Sequence, residues 1–359
     1  MHGILESTEH GMVILSPAGR RPLRRVLYVN NYGGRGLWEN IKSGTSPAHH
    51  LWGCMELVQI GYEVALAEPL TDLWVLLRRP SAHDLKLLRA TYSWLGRDGI
   101  LYCGHNFLYF LPLLRSLGLI RCQVVAHLWA REPLQMALGH TGLVALTPTG
   151  AEHAHKLAPH ARVVHLGWGV DLDFFPELPY DPQWFLSCGK THRDHRTLSS
   201  AVFKCGHPTR VICPELPPGL PWPPSVQLIT GGQADDTISY RELLHEYYSR
   251  CAASLIVLES DPEQETAVGF TNLIEALAMA RPVIVTQTGA LPSEIDVEKT
   301  RCGLLVPPGD PEALAKAITA LAADPARAEA MGRAGRRLAE EHYNIRRYGR
   351  DLHKFFESL

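Results

Sequence analysis

The stretch that decides the fold class is residues 26–67, with the sequence VLYVNNYGGRGLWENIKSGTSPAHHLWGCMELVQIGYEVALA. Its first four residues form a short apolar run typical of a strand, and the turn-forming loop 30–34 follows it. Apolar residues at helical spacing then predict a helix over 48–60. Residues 63–67 have the composition of a second strand. A strand, a helix and a strand in this order indicate a parallel α/β sheet.

The same alternation of strands and helices continues along the rest of the chain. It forms two series, which a proline-rich stretch over 176–182 separates. Polar residues cluster just after the strands, where open α/β sheets bind their ligands. We therefore predict an α/β protein with two Rossmann-like domains that face a cleft. The predicted segments are a tail or added strand (1–24), an N-terminal acceptor-binding domain (25–176), a C-terminal nucleotide-sugar-binding domain (177–341) and a last helix that packs back on the N-terminal domain (342–359).

The composition argues against several classes of protein. The 359 residues have a formal net charge of −2, which gives no field that would favour nucleic acid. None of the eight cysteines forms a Cys-x-x-Cys pair, so we expect reduced core cysteines and a cytoplasmic protein. The start of the sequence lacks the pattern of a signal peptide, and no run of about 20 apolar residues could span a bilayer. The basic run over 20–25 is expected to be solvated, with peripheral membrane contact as the less favoured alternative.

The most informative segment for function is residues 268–278, VGFTNLIEALA. Gly269 allows the backbone to approach a ligand closely, and Thr271 is the expected N-cap of a helix. The start of such a helix offers free N–H groups and a positive dipole end to a diphosphate or a sugar hydroxyl. Glu275, one turn further, has two acceptor oxygens for a ribose diol. The alternative is a capped helix in which Glu275 forms a local salt bridge.

Several motifs in the C-terminal half resemble family 4 of the retaining, GT-B-fold glycosyltransferases. Residues 169–176 are similar to the family's Gly-Val-Asp-x-x-x-Phe-x-Pro signature, with one residue fewer before the proline, and 186–190 resemble its Gly-Arg strand end. The resemblance covers nearly all of 25–355 and is stronger in the C-terminal half. Its most specific parts are EALAMARPVIVT at 275–286, Gly289, Glu294 and CGLLVPPGD at 302–310.

The resemblance implies a glycosyltransferase that moves a sugar from a UDP- or GDP-sugar to an acceptor hydroxyl with retention of configuration. Both substrates are then small molecules, the nucleotide-diphosphate sugar is a co-substrate, and no cofactor or metal is needed. Asp171 and Asp173 form an Asp-x-Asp pair, but it falls within the signature and is interpreted as structural. The acceptor, the donor sugar and its base, and the oligomeric state stay open.

By position in the family's motif, the basic pair for the donor diphosphate is Lys190 and Arg193. Two cations at a strand end would offset the charge of the leaving group, with each charge-assisted hydrogen bond contributing about 1.5–3 kcal/mol. The alternative is an ordinary charged surface loop. The predicted donor-binding residues are Gly189, Gly269, Phe270, Thr271, Asn272 and Glu275.

The chain departs from the family at one donor position. The family has two glutamates with seven residues between them; the second matches Glu275, but the first falls on Ala267. Either Glu265 substitutes for it, or the backbone of 269–272 reads the donor sugar. This departure keeps open a non-catalytic protein that binds a nucleotide sugar or a glycan. A sugar-nucleotide epimerase on the same fold is the other alternative.

On the acceptor side, the resemblance assigns a glycine-rich loop to Gly33 and Gly34, with Gly44 as an alternative. A catalytic histidine that contacts the donor sugar near the reacting carbon falls on His127, just after a predicted strand. His105, which also follows a strand, is the second candidate. For any single histidine, a structural role is the default alternative.

Overall fold

The computed structural model describes residues 3–30, 32–68, 87–104, 110–128, 139–230, 238–259, 267–288 and 295–359. The chain forms two compact units. The first contains residues 1–168 together with 345–359, and the second contains 169–344. The chain passes from one unit to the other after Trp168 and after Asn344, whereas the sequence analysis placed these boundaries at 176 and 341.

Among the described residues, the first unit has an eight-stranded sheet in the order β1-β2-β4-β3-β5-β6-β7-β8. Strands β3 to β8 run parallel, whereas β1 and β2 form an antiparallel hairpin at one edge. The strands are β1 (Ile4–Glu9), β2 (Met12–Pro17), β3 (Arg25–Val29), β4 (Glu63–Leu66), β5 (Ile100–Cys103), β6 (Gln123–Leu128), β7 (Gly142–Ala145) and β8 (Arg162–His165).

The N-terminal segment is thus a hairpin, where the sequence predicted a tail or one added strand. The prediction of an added strand rested on the apolar run at 12–15, which lies in β2, and the residues of β2 are mostly buried. Strand β1 was not predicted because its side chains are largely exposed and polar. His10 and Gly11, with φ of 51° and 79°, make the tight turn between the two strands.

Helices in the first unit include α1 (Gly34–Lys42), α2 (Cys54–Ile60), α3 (Phe110–Ser116) and α4 (Pro148–Leu157), and a π-helical segment covers Thr91–Leu95. The single helix expected over 48–60 is wrong: a 3-10 turn at Ala48–Leu51 precedes α2, and the chain turns between them. Trp52 and Gly53 both have left-handed backbones there, with φ of 49° and 82°. Apolar spacing cannot reveal such a break, because the apolar face continues across it.

The second unit has a six-stranded parallel sheet in the order β11-β10-β9-β12-β13-β14. This is the doubly wound Rossmann order, which reverses direction between β9 and β12. The strands are β9 (Trp184–Cys188), β10 (Thr209–Ile212), β11 (Val226–Ile229), β12 (Cys251–Ile256), β13 (Val283–Thr286) and β14 (Gly303–Val306). The helices are α5 (His195–Cys205), α6 (Phe270–Ala278), α7 (Pro311–Ala323) and α8 (Pro325–His342).

The proline-rich stretch that separates the two series of strands and helices is bound to the second unit. The guanidinium of the buried Arg281 donates to the carbonyls of Leu178 and Pro179, at 3.0 and 2.7 Å. The Tyr180 hydroxyl donates to the Ala252 carbonyl at 2.9 Å. Residues 178–180 therefore belong to the second unit.

The last helix, α9 (Ile345–Glu357), belongs to the first unit and packs on α2. Glycines permit the close approach: a Cβ at Gly349 would collide with Glu56, and one at Gly53 would lie 3.1 Å from the Tyr348 ring. Tyr348 and Leu352 are fully buried in this packing. No helix in the described part of the chain has both the length and the apolar character needed to cross a membrane.

Candidate active site

The candidate donor site lies where the second sheet reverses direction, at the carboxyl ends of β9 and β12. Strand β9 ends at Cys188, and Gly189 follows it with φ of +124°. A Cβ at Gly189 would collide with the guanidinium of Arg193. Glycine is therefore required here both by the backbone conformation and by the space that Arg193 occupies.

The loop after Gly189 is attached to the end of β12. Backbone hydrogen bonds join Asp194 N to the Val257 carbonyl at 3.0 Å and Glu259 N to the His192 carbonyl at 3.1 Å. The Asp194 carboxylate then caps α5 by accepting from Thr197 N at 2.9 Å. These bonds fix the loop, and with it Arg193, at the point where α/β sheets bind ligands.

The Arg193 side chain is folded over the end of β9 and is 8% exposed. It donates to the carbonyl of Thr191 at 2.9 Å, to the carbonyl of Cys188 at 3.4 Å and to Oδ1 of Asn272. All of these acceptors are neutral, and no carboxylate in the described part of the chain lies at ion-pair distance from the guanidinium. Burial lowers the pKa of Arg193. The pKa of His195 is also lowered, first by its own burial and second by the positive charge of Arg193.

Helix α6 begins beside Arg193, and its N-cap is Gly269 with φ of 81°. The expected N-cap, Thr271, is wrong, because the helix starts at Phe270 and no side chain caps it. A Cβ at Gly269 would lie 2.9 Å from Ile256, so only glycine allows α6 to start this close to β12. Among the described residues, the backbone N–H groups of Thr271 and Asn272 have no hydrogen-bond acceptor.

Glu275 lies one turn into α6 and is 1% exposed. Burial raises the pKa of its carboxyl group to about 8. Cys188 and Tyr248 lie close enough for the charge of Glu275 to raise the pKa of each of them. In the free protein, burial therefore favours the protonated form of this carboxyl group. Its predicted contact with a ribose diol stays a prediction.

Lys190 and Phe270 differ in which of their atoms could contact a ligand. Lys190 is exposed in the loop after Gly189. The Phe270 ring is buried, with its centroid 5.9 Å from that of Tyr343, so only its backbone is placed to meet a ligand. Ala267 is also buried, and its carbonyl accepts from Phe270 N at 3.2 Å. Glu265, Gly289 and Glu294 lie outside the described residues.

On the acceptor side, Gly33 and Gly34 form the start of α1. A Cβ at Gly33 would lie 2.5 Å from the Glu68 carboxylate, and one at Gly34 would lie 2.9 Å from the Ala67 carbonyl. Both glycines thus let α1 begin against the end of β4. Gly44, the alternative, follows α1 with φ of 69°. His105, the second histidine candidate, lies outside the described residues.

His127 is fully buried at the end of β6 in the first unit. Its Nδ1 lies 3.2 Å from the Cys103 carbonyl, which can only accept, so Nδ1 carries the proton. Its Nε2 contacts the hydroxyl of Tyr348, and its ring centroid lies 4.4 Å from that of Trp52. The catalytic role of His127 stays a prediction, since both ring nitrogens have protein partners here.

Two side-chain contacts at these sites were not predicted from the sequence. Tyr348 was not among the predicted site residues, because no local signal connects it with His127, 221 residues away. Asn272 was expected to bind the donor directly, whereas its side chain contacts Arg193 and Cys188. The Asp171 carboxylate accepts from the backbone N–H groups of Asp173 and Phe174 at 3.1 and 3.2 Å, a local turn interaction.

Comparisons with known proteins agree with this architecture. Residues 229–324 match the family model of the group 1 glycosyl transferases. A search of curated protein sequences gives no significant match. Among solved structures, sucrose-phosphate synthase from Thermosynechococcus elongatus is 14% identical with a TM-score of 0.66, over 94% of this chain and 99% of that one. A glycosyltransferase from Rickettsia africae has the same values.

Anabaena Alr3699/HepE, solved in complex with UDP-glucose, is 12% identical with a TM-score of 0.63, over 93% of this chain and all (100%) of that one. At such identities these structures establish the fold alone. The predicted fold class is confirmed: the chain has two parallel-sheet α/β domains of the GT-B fold. The resemblance to the group 1 glycosyltransferases is also confirmed, and together these matches support a glycosyltransferase.

Proposed function

We propose that the chain is a retaining, metal-independent glycosyltransferase whose second unit binds a UDP- or GDP-sugar. One observation carries the donor site. Arg193 is a buried guanidinium with only neutral acceptors among the described residues, beside the start of α6, where two backbone N–H groups also have no acceptor. A dianionic diphosphate satisfies the charge and both N–H groups at once.

The electrostatic argument favours an anionic ligand over a purely structural arginine. Burial of an ion without a counter-charge costs on the order of several kcal/mol, so such groups are normally paired. An N-terminal helix end adds partial positive charge at the same place. A diphosphate bound here gains charge-assisted hydrogen bonds of about 1.5–3 kcal/mol each. A neutral ligand would leave the Arg193 charge uncompensated.

The same groups suit the chemistry of sugar transfer. As the bond to the sugar breaks, negative charge grows on the departing diphosphate. Arg193, Lys190 and the start of α6 would stabilise that charge, with Arg193 and the helix start acting as donors fixed in advance. We propose that the acceptor oxygen bonds to the sugar carbon from the face that the diphosphate leaves and that the departing phosphate oxygen takes the acceptor's proton, which gives retention. His127 would contact the transferred sugar only by exchanging its bond to Tyr348.

The test is a donor panel followed by product analysis. HepE binds UDP-glucose, so UDP-glucose is the first donor to try by calorimetry, with GDP-sugars next. Transfer to a panel of sugar and natural-product acceptors is then followed by NMR, which reports the configuration of the new bond. We expect donor binding, a product with retained configuration and unchanged rates in EDTA. Loss of activity in EDTA that Mg²⁺ or Mn²⁺ restores would contradict metal independence.

The two alternatives give different results in the same assay. An epimerase releases an altered sugar and free nucleotide without any acceptor. A binding protein without activity takes up the nucleotide sugar but turns over none of it with any acceptor or with water. Failure to bind UDP, GDP and their sugars would contradict the proposed donor site itself.

A further inference from the structure

We propose that Asn272 is a positioning residue for Arg193, and that an uncharged amide is required there so that the Arg193 charge stays available to the donor diphosphate. The inference rests on the proposed function, because it concerns the same donor site. It gives Asn272 a role other than the direct contact with the donor that the sequence suggested.

The hydrogen-bond geometry determines which end of the Asn272 amide is the oxygen and which is the nitrogen. An arginine can only donate, so the atom that contacts the Arg193 guanidinium is Oδ1. The other end, Nδ2, then donates to Sγ of Cys188 at 3.3 Å. Asn272 lies in the first turn of α6, and Cys188 is the last residue of β9. The amide thus joins the helix, the strand end and the guanidinium, and it holds Arg193 in one orientation.

The chemical type of the partner matters as much as its position. A carboxylate at 272 would hold the guanidinium at least as firmly, because charge-assisted pairs are stronger than neutral hydrogen bonds. It would also cancel the positive charge and repel a diphosphate. The other acceptors of Arg193, the carbonyls of Cys188 and Thr191, are neutral as well. All the described contacts therefore orient Arg193 without neutralising it.

The experiment compares Asn272→Asp with Asn272→Ala, and it measures the dissociation constants of UDP and uridine and the melting temperature. The two substitutions should separate binding from stability. Asn272→Ala removes one of the acceptors that orient the guanidinium and should weaken UDP binding about tenfold, the loss expected for one well-placed hydrogen bond to a charged group. Asn272→Asp should weaken UDP binding by more than that, whereas its melting temperature should be equal to or above that of the wild type. Uridine binding should change by less than about threefold in both variants, because the nucleoside has no phosphate.

Two controls make the result specific. Asn40→Asp makes the same chemical change at an exposed position of α1 in the first unit and should leave UDP binding unchanged. In an Arg193→Ala background, both Asn272 substitutions should have almost no further effect on UDP, because residues that act as a unit are non-additive. GDP and guanosine replace UDP and uridine if the wild type prefers guanine.

Three outcomes would overturn the inference. One is an Asn272→Asp variant that binds UDP as the wild type does. Another is an Asn272→Ala variant that loses UDP, uridine and melting temperature together, which indicates a merely structural role. The third is full additivity with Arg193→Ala. If Asn272→Ala fails to fold, Cys188→Ala against Cys188→Ser tests the same amide through its second anchor, and equal UDP binding by these two variants counts against the inference. A wild type that binds neither UDP nor GDP contradicts the donor site as well, so the two failures are distinguishable.

Discussion

Tyr348 of the C-terminal helix α9 donates a hydrogen bond to Nε2 of His127, the histidine at the end of β6. The direction follows from the other side of the ring, where the Cys103 carbonyl fixes the proton on Nδ1. The Tyr102 hydroxyl lies 3.1 Å from that of Tyr348 and also reaches the Trp52 carbonyl at 2.9 Å. This buried polar group ties the last helix of the chain to the sheet of the first unit.

Replacement of Tyr348 by phenylalanine should destabilise the protein. The substitution keeps the ring but removes the Tyr348 donor from Nε2 of His127, and the other nearby hydroxyl, that of Tyr102 at 3.3 Å, already donates to the Trp52 carbonyl. Such a loss is expected to lower the free energy of unfolding by about 1–3 kcal/mol. Urea unfolding followed by tryptophan fluorescence measures it. Tyr92→Phe is the matched control, because the Tyr92 hydroxyl bonds the Leu119 carbonyl on an exposed side chain. Equal, small effects of both substitutions would show that the Tyr348 bond contributes nothing.

The predicted catalytic role of His127 has its own test. A contact made mainly in the transition state lowers turnover and leaves donor affinity nearly intact. His127→Ala should cut turnover by at least ~100-fold while the donor dissociation constant changes by less than ~3-fold. The assay is run well below the melting temperature of the variant, because a loss of stability is also expected. A folded variant that turns over within a few-fold of the wild type would leave His127 with a structural role only, and a critical His105 would point to the other strand end.

The order of strands and helices could be inferred from the sequence because apolar periodicity depends on local residues. Elements with weak periodicity were not found. Helix α1 contains Gly34 and Gly36 and shows only Trp38 and Ile41 as buried large residues. The break at Trp52 was not predicted because the residue type tryptophan does not indicate a left-handed backbone conformation. Boundaries set by such backbone conformations need the packed structure.

Residues of the candidate site could be predicted where a motif indicates a backbone conformation. They could not be predicted where side chains from distant parts of the sequence meet. Gly189 and Gly269 were assigned from their motifs, and both have positive φ at the end of the second sheet. The contact between Arg193 and Asn272 joins residues 79 positions apart, and no spacing rule describes it. Burial of Glu275 likewise depends on the three-dimensional surroundings of α6, so its raised pKa could not be anticipated.

Arg193 should contribute more than Lys190 to diphosphate binding. Arg193 is buried and fixed by several hydrogen bonds, whereas Lys190 is exposed. Exposed charge pairs contribute only about 0–1 kcal/mol, because water and salt screen them. Arg193→Ala should therefore weaken UDP binding at least about tenfold relative to uridine. Lys190→Ala should also weaken UDP binding relative to uridine, but by a smaller factor.

Calorimetry with UDP and uridine measures both losses, and Arg196→Ala is the control. Arg196 is an exposed cation three residues after Arg193, at the start of α5. Its removal should leave the ratio of UDP to uridine affinity close to that of the wild type. Equal losses of UDP and uridine affinity in Arg193→Ala would mean that Arg193 does not contact the diphosphate.

Glu275 should make the stability of the protein depend on pH in a defined window. Burial raises the pKa of its carboxyl group from 4.5 to about 8, so the folded state binds this proton more tightly than the unfolded state does. The contribution of the buried, protonated Glu275 carboxyl group to the free energy of unfolding is fully present below pH 4.5. It decreases as pH rises, because the unfolded chain gains stability by ionising, and it is lost once the pH has passed the folded pKa of about 8. The slope from this one group is at most about 1.4 kcal/mol per pH unit.

Glu275→Gln keeps the shape of the side chain and removes its ionisation, so it should flatten that part of the stability profile. Melting temperatures of the wild type and the variant at several values between pH 5 and 8 measure the difference, which should favour the variant increasingly as the pH rises. Glu341→Gln changes an exposed carboxylate and should leave the slope of the wild type unaltered. Parallel profiles for the wild type and Glu275→Gln would show that Glu275 already ionises near its ordinary pKa in the folded protein, and its carboxylate would then be available to a ribose diol at neutral pH without a change in protonation.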